Sequence, residues 1–257
     1  MSFKLSKKSI EILQNLSQVH NKMMLVEGNE QASSNKLAHV YATAKLPDAL
    51  DCSFGMFDMN VLLGKFRLFG DSLELEYNDS NKTITLFDEY SRVTIPTDST
   101  ELIASPIIGR DIGVDPYDIV FTMNRQNMNK MVEFMKVMGT DTIAFAKPDD
   151  DDFIRVEGYI YDKMKENKLK GYDSEPNWFI RLEESTVESF KYYARLPVRF
   201  YDDDYTVTIR QYLGTRGKSD GRNANRVPAI QFEGEYIRYF MGYLVESENQ
   251  KGLRDVK

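Results

Sequence analysis

Cysteine is nearly missing from this chain. Cys52 is the single one among 257 residues, so no internal disulfide can form and a reducing compartment is expected. Histidine is almost as scarce, with His20 and His39 completing the set. One thiol and two imidazoles leave almost no material for a His/Cys metal site or a Cys–His nucleophile. No apolar run approaches the roughly 18 residues a membrane span needs, so no membrane partner is expected. Lys7 and Lys8 precede an apolar stretch, but Glu11, Gln14 and Asn15 interrupt it, which argues against a secretory signal. Glycine-rich nucleotide loops and a His-Glu-x-x-His helix are also lacking. These gaps disfavour an enzyme, and neither a cofactor nor a metal is expected.

What is present is a pattern written twice. Residues 124–146 read as a helix followed at once by a strand. Met128, Met131, Val132, Met135 and Met138 recur at three- and four-residue spacing, one apolar stripe read as core filling, while Arg125, Asn129, Lys130, Glu133 and Lys136 fall opposite. Gly139 stops the helix and 142–146 reads as a buried strand. Residues 6–26 repeat the unit, with Ile10-Glu11-Ile12-Leu13 answering Val132-Glu133-Phe134-Met135 at an offset of 122. Second helices are predicted over 59–69 and 186–196, the latter opened by a capping box of Ser185 and Glu188. Strands are expected at 3–5, 36–44, 50–57, 73–77, 82–87, 92–95, 153–161, 178–182, 205–212 and 229–233, while 118–123 opens the second half and 236–245 closes the fold. The fold class is therefore α+β in two similar halves, 1–110 and 111–257, joined by a proline- and glycine-marked connector at about 97–116. A glycine-rich loop, 213–228, and a frayed last dozen residues complete the chain.

Charge is unevenly placed. The chain carries −7 overall, which argues against a protein that coats nucleic acid with its whole surface. Yet the four helical segments, with the residues flanking the first, total +7, and the remainder balances them at −14. Basic helices on an acidic body suit a polyanion on one face only. His20, at a helix end, reads as a cap, and Cys52 as a buried small hydrophobe. The clusters Asp149–Asp152 and Asp202–Asp204 read as solvated turns. Taken otherwise they are the site of a metal- or nucleotide-using enzyme, the main alternative. A virion structural protein is the other.

Four stretches carry a family resemblance: FKLSKKSIEILQNLSQVHNKMML at 3–25, FDMNVLLGKFRLF at 57–69, MVEFMKVMGTDTIAF at 131–145 and AIQFEGEYIRYFMGYLVES at 229–247. In order and spacing the chain resembles the DNA polymerase sliding clamps, and most closely those of T-even-like bacteriophages. The resemblance implies a closed ring of three chains, with helices lining the hole and antiparallel sheets outside. Such a ring encircles duplex DNA without reading its sequence and tethers the replicative DNA polymerase. An ATPase clamp loader opens it, and late-transcription factors are further implied partners. The setting implied is the cytoplasm of an infected host cell. Carried over by position, Lys4, Lys7, Lys8, Lys22, Lys65, Arg67, Arg125, Lys130, Lys136, Lys191 and Arg195 become the DNA-facing inner wall. Leu102, Ile103, Ile107 and Ile108, in the connector, are the candidates for a pocket that takes partner peptides, although packing over the sheet is the plainer reading of them. The connector, the 213–228 loop and Asp149–Asp152 depart from the family pattern.

Overall fold

The computed structural model describes residues 2–35, 40–69, 73–98, 103, 118–169, 174–195, 200–209 and 229–242. The expected loop at 213–228, the terminal dozen and most of the connector lie outside them. The chain divides into two units, Met1–Ile112 with Tyr236–Tyr239 and Gly113–Glu235 with Phe240–Lys257.

In the first unit, Ser6 starts helix α1 (Lys7–Val19). Its hydroxyl accepts a hydrogen bond from the Ser9 N–H at 3.3 Å, satisfying a donor that helix geometry leaves without a partner. Ile12, Leu13, Leu16 and Val19 then recur on one buried face. Strand β1 (Ser2–Lys4) precedes α1. After it come β2 (Met23–Leu25), β3 (Gly28–Asn35), β4 (Val40–Leu50), β5 (Phe54–Met56), helix α2 (Met59–Phe66), β6 (Glu74–Asn78), β7 (Thr83–Phe87) and β8 (Arg92–Pro96). β1-β6-β7-β8 form one antiparallel sheet, β2 pairs with β5, and β3 with β4. Phe3, Leu75, Ile84, Leu86 and Ile95 alternate with exposed or half-buried positions and fill the core.

The second unit repeats this order strand for strand. Asn124 caps α3 (Arg125–Met138) by accepting from the Asn127 N–H at 2.8 Å. Gly139 ends it at φ 63, a left-handed turn that glycine takes without strain. Around α3 stand β9 (Ile119–Met123), β10 (Thr142–Lys147), β11 (Phe153–Tyr159), α4 (Tyr161–Leu169), β12 (Trp178–Glu184), β13 (Phe190–Arg195), β14 (Tyr205–Ile209) and β15 (Ala229–Glu233), followed by β16 (Ile237–Gly242), whose first three residues count with the first unit. The order β9-β14-β15-β16 reproduces β1-β6-β7-β8, β10 pairs with β13 as β2 does with β5, and β11 with β12 as β3 does with β4. Phe145 anchors the core, its ring 5.3 Å from Phe121 and 5.9 Å from Phe232. Gly158 makes room for Trp178: a Cβ there would lie 2.0 Å from its Cε2.

Several expectations are corrected. The helix expected at 186–196 is strand β13, because Phe190, Tyr192 and Ala194 are buried at period two and pair with β10. Ser185 accepts from Val187, two residues on, which is a turn and not a capping box. Among its described side chains, 161–167, the unforeseen helix α4 has none fully buried, and its sequence carries no apolar stripe of helical period. Its start is fixed from outside, by Asp141 Oδ1 accepting from the Tyr161 N–H at 2.8 Å. Set by its caps Ser6 and Asn124, the repeat has an offset of 118 and not 122. That is about one helical turn, so Leu13 answers Met131. The methionine stripe is core only in its first half: Met128 and Met131 are buried, while Met138 and the neighbouring Phe134 and Val137 are exposed. The strand expected at 50–57 is broken between β4 and β5. β3 went unread because the residues it buries include Gln31 and Ser33.

Candidate nucleic-acid interface

The basic residues fall into three groups by what holds them. Lys7 stands exposed in the first turn of α1, and Lys65 and Arg67 are exposed at the end of α2. Lys130 and Lys136 are exposed along α3. These five are long cations on helices that project into solvent, the form in which phosphate is met without reading bases.

A second group is partly engaged. Lys8 lies 4.4 Å from the Tyr236 ring centre, and Lys22 lies 4.0 Å from that of Phe57, so their ammoniums rest on aromatic faces. Lys4 is on β1 and pairs with Glu74 at 2.9 Å.

The third group is committed. Arg125 opens α3 with its Nε 2.6 Å from Asp202 Oδ1 and Nη2 on Oδ2 of the same carboxylate. Lys191 sits on strand β13, not on a helix. Its ammonium is 3.1 Å from Glu157, which is fully buried, and 5.1 Å and 5.6 Å from the rings of Tyr159 and Tyr193. Arg155 Nε closes on the same carboxylate at 2.6 Å, and the Tyr159 hydroxyl donates to it. Burial together with Glu157 holds the Tyr159 hydroxyl well above the usual phenol range. A buried carboxylate needs such neighbours, so Lys191 stabilises the sheet. Arg195 ends β13, and its side chain lies outside the described ones.

Other candidates resolve similarly. Ile103 is buried, its Cδ1 2.8 Å from where a Cβ on Gly55 would stand, so it packs over β5. Leu102, Ile107 and Ile108 lie outside the described residues. Asp151 faces Arg181 at 3.4 Å and Arg155 at 3.7 Å. Asp203 accepts from the Glu235 N–H and Asp204 from the Arg125 N–H. Among the described residues no three His, Cys, Asp or Glu side chains converge as a metal site would require. His20 turns its Nδ1 to the Lys22 backbone, 3.0 Å from its N–H, so it stabilises the turn after α1 and not the last carbonyls of the helix. Burial and the nearby Asp51 push the half-buried Cys52 thiol up to about 11, away from nucleophile chemistry.

Sequence reasoning missed two apolar stripes. Val61 and Leu68 are exposed on α2 and in its closing turn, with Gly64 between them and nothing within 4 Å of its would-be Cβ. Phe134, Val137 and Met138 are exposed on α3. The spacings 61-64-68 and 134-137-138 each mark one helix face. They were legible once each helix was seen to have two apolar sides.

Comparison with known structures places the fold. The chain matches the PCNA of A. fulgidus bound to the C-terminal region of FEN-1 with a TM-score of 0.62 at 12% identity, covering 96% of this chain and 99% of that one. It matches a Helicobacter pylori beta clamp bound to a DNA ligase peptide with a TM-score of 0.57 at 14% identity, over 98% of this chain and 69% of that one. The protein has the sliding-clamp fold. In sequence it is 25% identical over 147 residues to the sliding clamp of Escherichia phage RB69, 57% of this chain and 63% of that protein's length, so the resemblance to phage DNA polymerase clamps is borne out. No protein-family model matches the chain.

Proposed function

We propose that the protein is a processivity clamp: a ring of three copies that encircles duplex DNA and tethers a replicative DNA polymerase. The observation that carries the reading is the sliding-clamp fold, followed over 96% of the chain in one comparison, with a phage clamp as the sequence relative. The exposed Lys7, Lys65, Arg67, Lys130 and Lys136 support DNA as the occupant, since a sliding contact must take phosphates and leave base edges unread. The apolar stripes of α2 and α3 support the ring. They are different surfaces, so joining α2 of one copy to α3 of the next is a head-to-tail contact, and such contacts close into rings. A clamp loader ATPase, late-transcription factors and a host-cell cytoplasmic setting belong to the same reading.

Native mass measurement at micromolar concentration should give three times the chain mass, and Val137→Glu should give single copies. The wild type should be retained on nicked circular DNA and lost from linear DNA. Lys7, Lys8, Lys130 and Lys136 reversed together to glutamate should keep the trimer and lose that retention. The control reverses Lys45, Lys82, Arg92 and Lys147, none of which lies on a helix. Equal loss in both sets, or a chain that stays single at every concentration, defeats the proposal.

A further inference from the structure

The segment 200–204 is fastened along its length. Phe200 is buried with its ring 4.6 Å from that of Phe232, and the Tyr201 carbonyl accepts from the Tyr205 hydroxyl at 2.7 Å. Asp203 accepts from the Glu235 N–H at 2.8 Å. Asp204 accepts from the Arg125 N–H at 2.5 Å, which supplies the partner that the first donor of α3 lacks within the helix. Asp202 is left to do something else. It stands against the solvent-facing side chains of α3, with one oxygen 2.6 Å from Arg125 Nε and the other on Nη2. The Asn129 amide donates to it at 3.2 Å.

Two oxygens of a fixed carboxylate on a guanidinium fork, with an amide beside them, are what two oxygens of a phosphodiester would present. The first unit differs at the matching place. There Asp48 turns to Ser6 and Ser9 and leaves Lys7 exposed.

We infer that Asp202 is a built-in competitor for DNA phosphate, occupying the niche of Arg125 and Asn129 and so weakening the grip of the protein on DNA at rest. The inference rests on the sliding-clamp reading. An arginine that passes between a protein carboxylate and a moving phosphate is never left bare, so the exchange is cheap in either direction. A clamp gains from contacts that are quickly released.

The test is fluorescence anisotropy of the full chain with a duplex DNA fragment over a salt series. Wild type, Asp202→Ala, Arg125→Ala and the double variant are compared, each checked for trimer mass and thermal unfolding. Asp202→Ala should bind about 3- to 10-fold more tightly at low salt, with a salt slope steeper by about one phosphate contact. Arg125→Ala alone should change affinity less than about twofold, and the double variant should fall back to it. Asp202→Asn keeps the shape of the loop and should move the same way by less, which covers loosening by alanine.

A gain that persists without Arg125 would make the effect one of bulk charge, and unchanged affinity in Asp202→Ala would mean Arg125 never reaches DNA. Either overturns the inference. A wild type retained no better on circular than on linear DNA sinks the clamp reading itself. Retention with a silent Asp202→Ala sinks only the role of Asp202.

Discussion

The two units share their strand order and differ in where they spend helices and charge. In the first, α2 follows β5; in the second, β13 holds the matching place beside β10 and residues 200–204 follow with no helix among them, while α4 interrupts the β11–β12 connection. Lys7, Lys65 and Arg67 of the first unit and Lys130 and Lys136 of the second stand exposed, whereas Lys4 of the first is paired with Glu74, and Arg125 and Lys191 of the second are held by Asp202 and Glu157. A duplicated fold thus preserves what the core needs, the pairing of strands, and leaves the cations free to take different work. Counting basic residues overstates the positive field of the second unit.

Reversing one lysine in each unit breaks the comparison most sharply. Lys191→Glu sets a second carboxylate against the buried Glu157 and leaves Arg155 as its one remaining cation, so the cost should be about 2 kcal/mol, below that of a buried charge stripped of every partner because Arg155 stays and Lys191 is 27% exposed. Lys7→Glu, on an exposed site, should change stability by less than about 0.5 kcal/mol yet reduce retention on DNA. Chemical unfolding and DNA retention measured on both variants should therefore move in opposite patterns. A Lys191→Glu protein of unaltered stability that loses DNA would restore Lys191 to the interface.

The register of the repeat comes next. With an offset of 118, Leu13 and Met131 are counterparts, and both are fully buried. Leu13→Ala and Met131→Ala should each cost about 3 kcal/mol. Met135, the counterpart under an offset of 122, is only half-buried, and its alanine variant should cost less than about 1 kcal/mol. Similar losses for Met131 and Met135 would undo the register set by the caps.

That slip shows where the sequence was legible. An apolar stripe and a terminal glycine announce α3 at once, and the repeat of that pattern over 6–26 announces α1, so element type was readable there. Register was not, because a stripe repeats every turn and slides along itself. β13 was misread since Ser185 and Glu188 imitate a cap, while the decisive alternation of Phe190, Tyr192 and Ala194 is short. β3 buries polar Gln31, whose side chain bonds Val26 at 3.0 Å and 2.7 Å, and no hydrophobic pattern reports that. The hold of Asp202 on Arg125 spans 77 positions, which no local pattern encodes. Basic residues were visible in the sequence; which of them were already taken was not.

A smaller effect separates the two helix starts. Partial burial raises the Asp48 carboxyl, but hydrogen bonds from Ser6 and Ser9 outweigh it and hold it below the usual carboxylate range. A folded-state value below the unfolded one gives stability that is present above the unfolded pKa and is lost as pH falls through the folded one. Asp48→Asn should cost about 1 kcal/mol at pH 7, and the gap from wild type should close as the medium is acidified below about pH 4. Unfolding curves from pH 7 to pH 3 check this. A gap that stays constant would mean that the charge of Asp48 is not what supports α1.

The smallest effect concerns Gly64, the gap in the exposed stripe of α2. Glycine inside a helix is disfavoured against alanine by about 0.5–1 kcal/mol, chiefly through the freedom it gives the unfolded chain. The added Cβ would meet nothing within 4 Å in the single copy. Gly64→Ala should therefore stabilise the isolated fold by that amount. If α3 of a second copy seats on this stripe, the methyl group instead fills space the neighbour needs. The same substitution would then lower trimer affinity while raising the stability of the single chain. Dilution series by native mass measurement, set beside unfolding of a dissociated Val137→Glu background, separate the two. A Gly64→Ala protein that gains stability and keeps its trimer at every dilution would leave the α2 face uncovered, and another surface would have to close the ring.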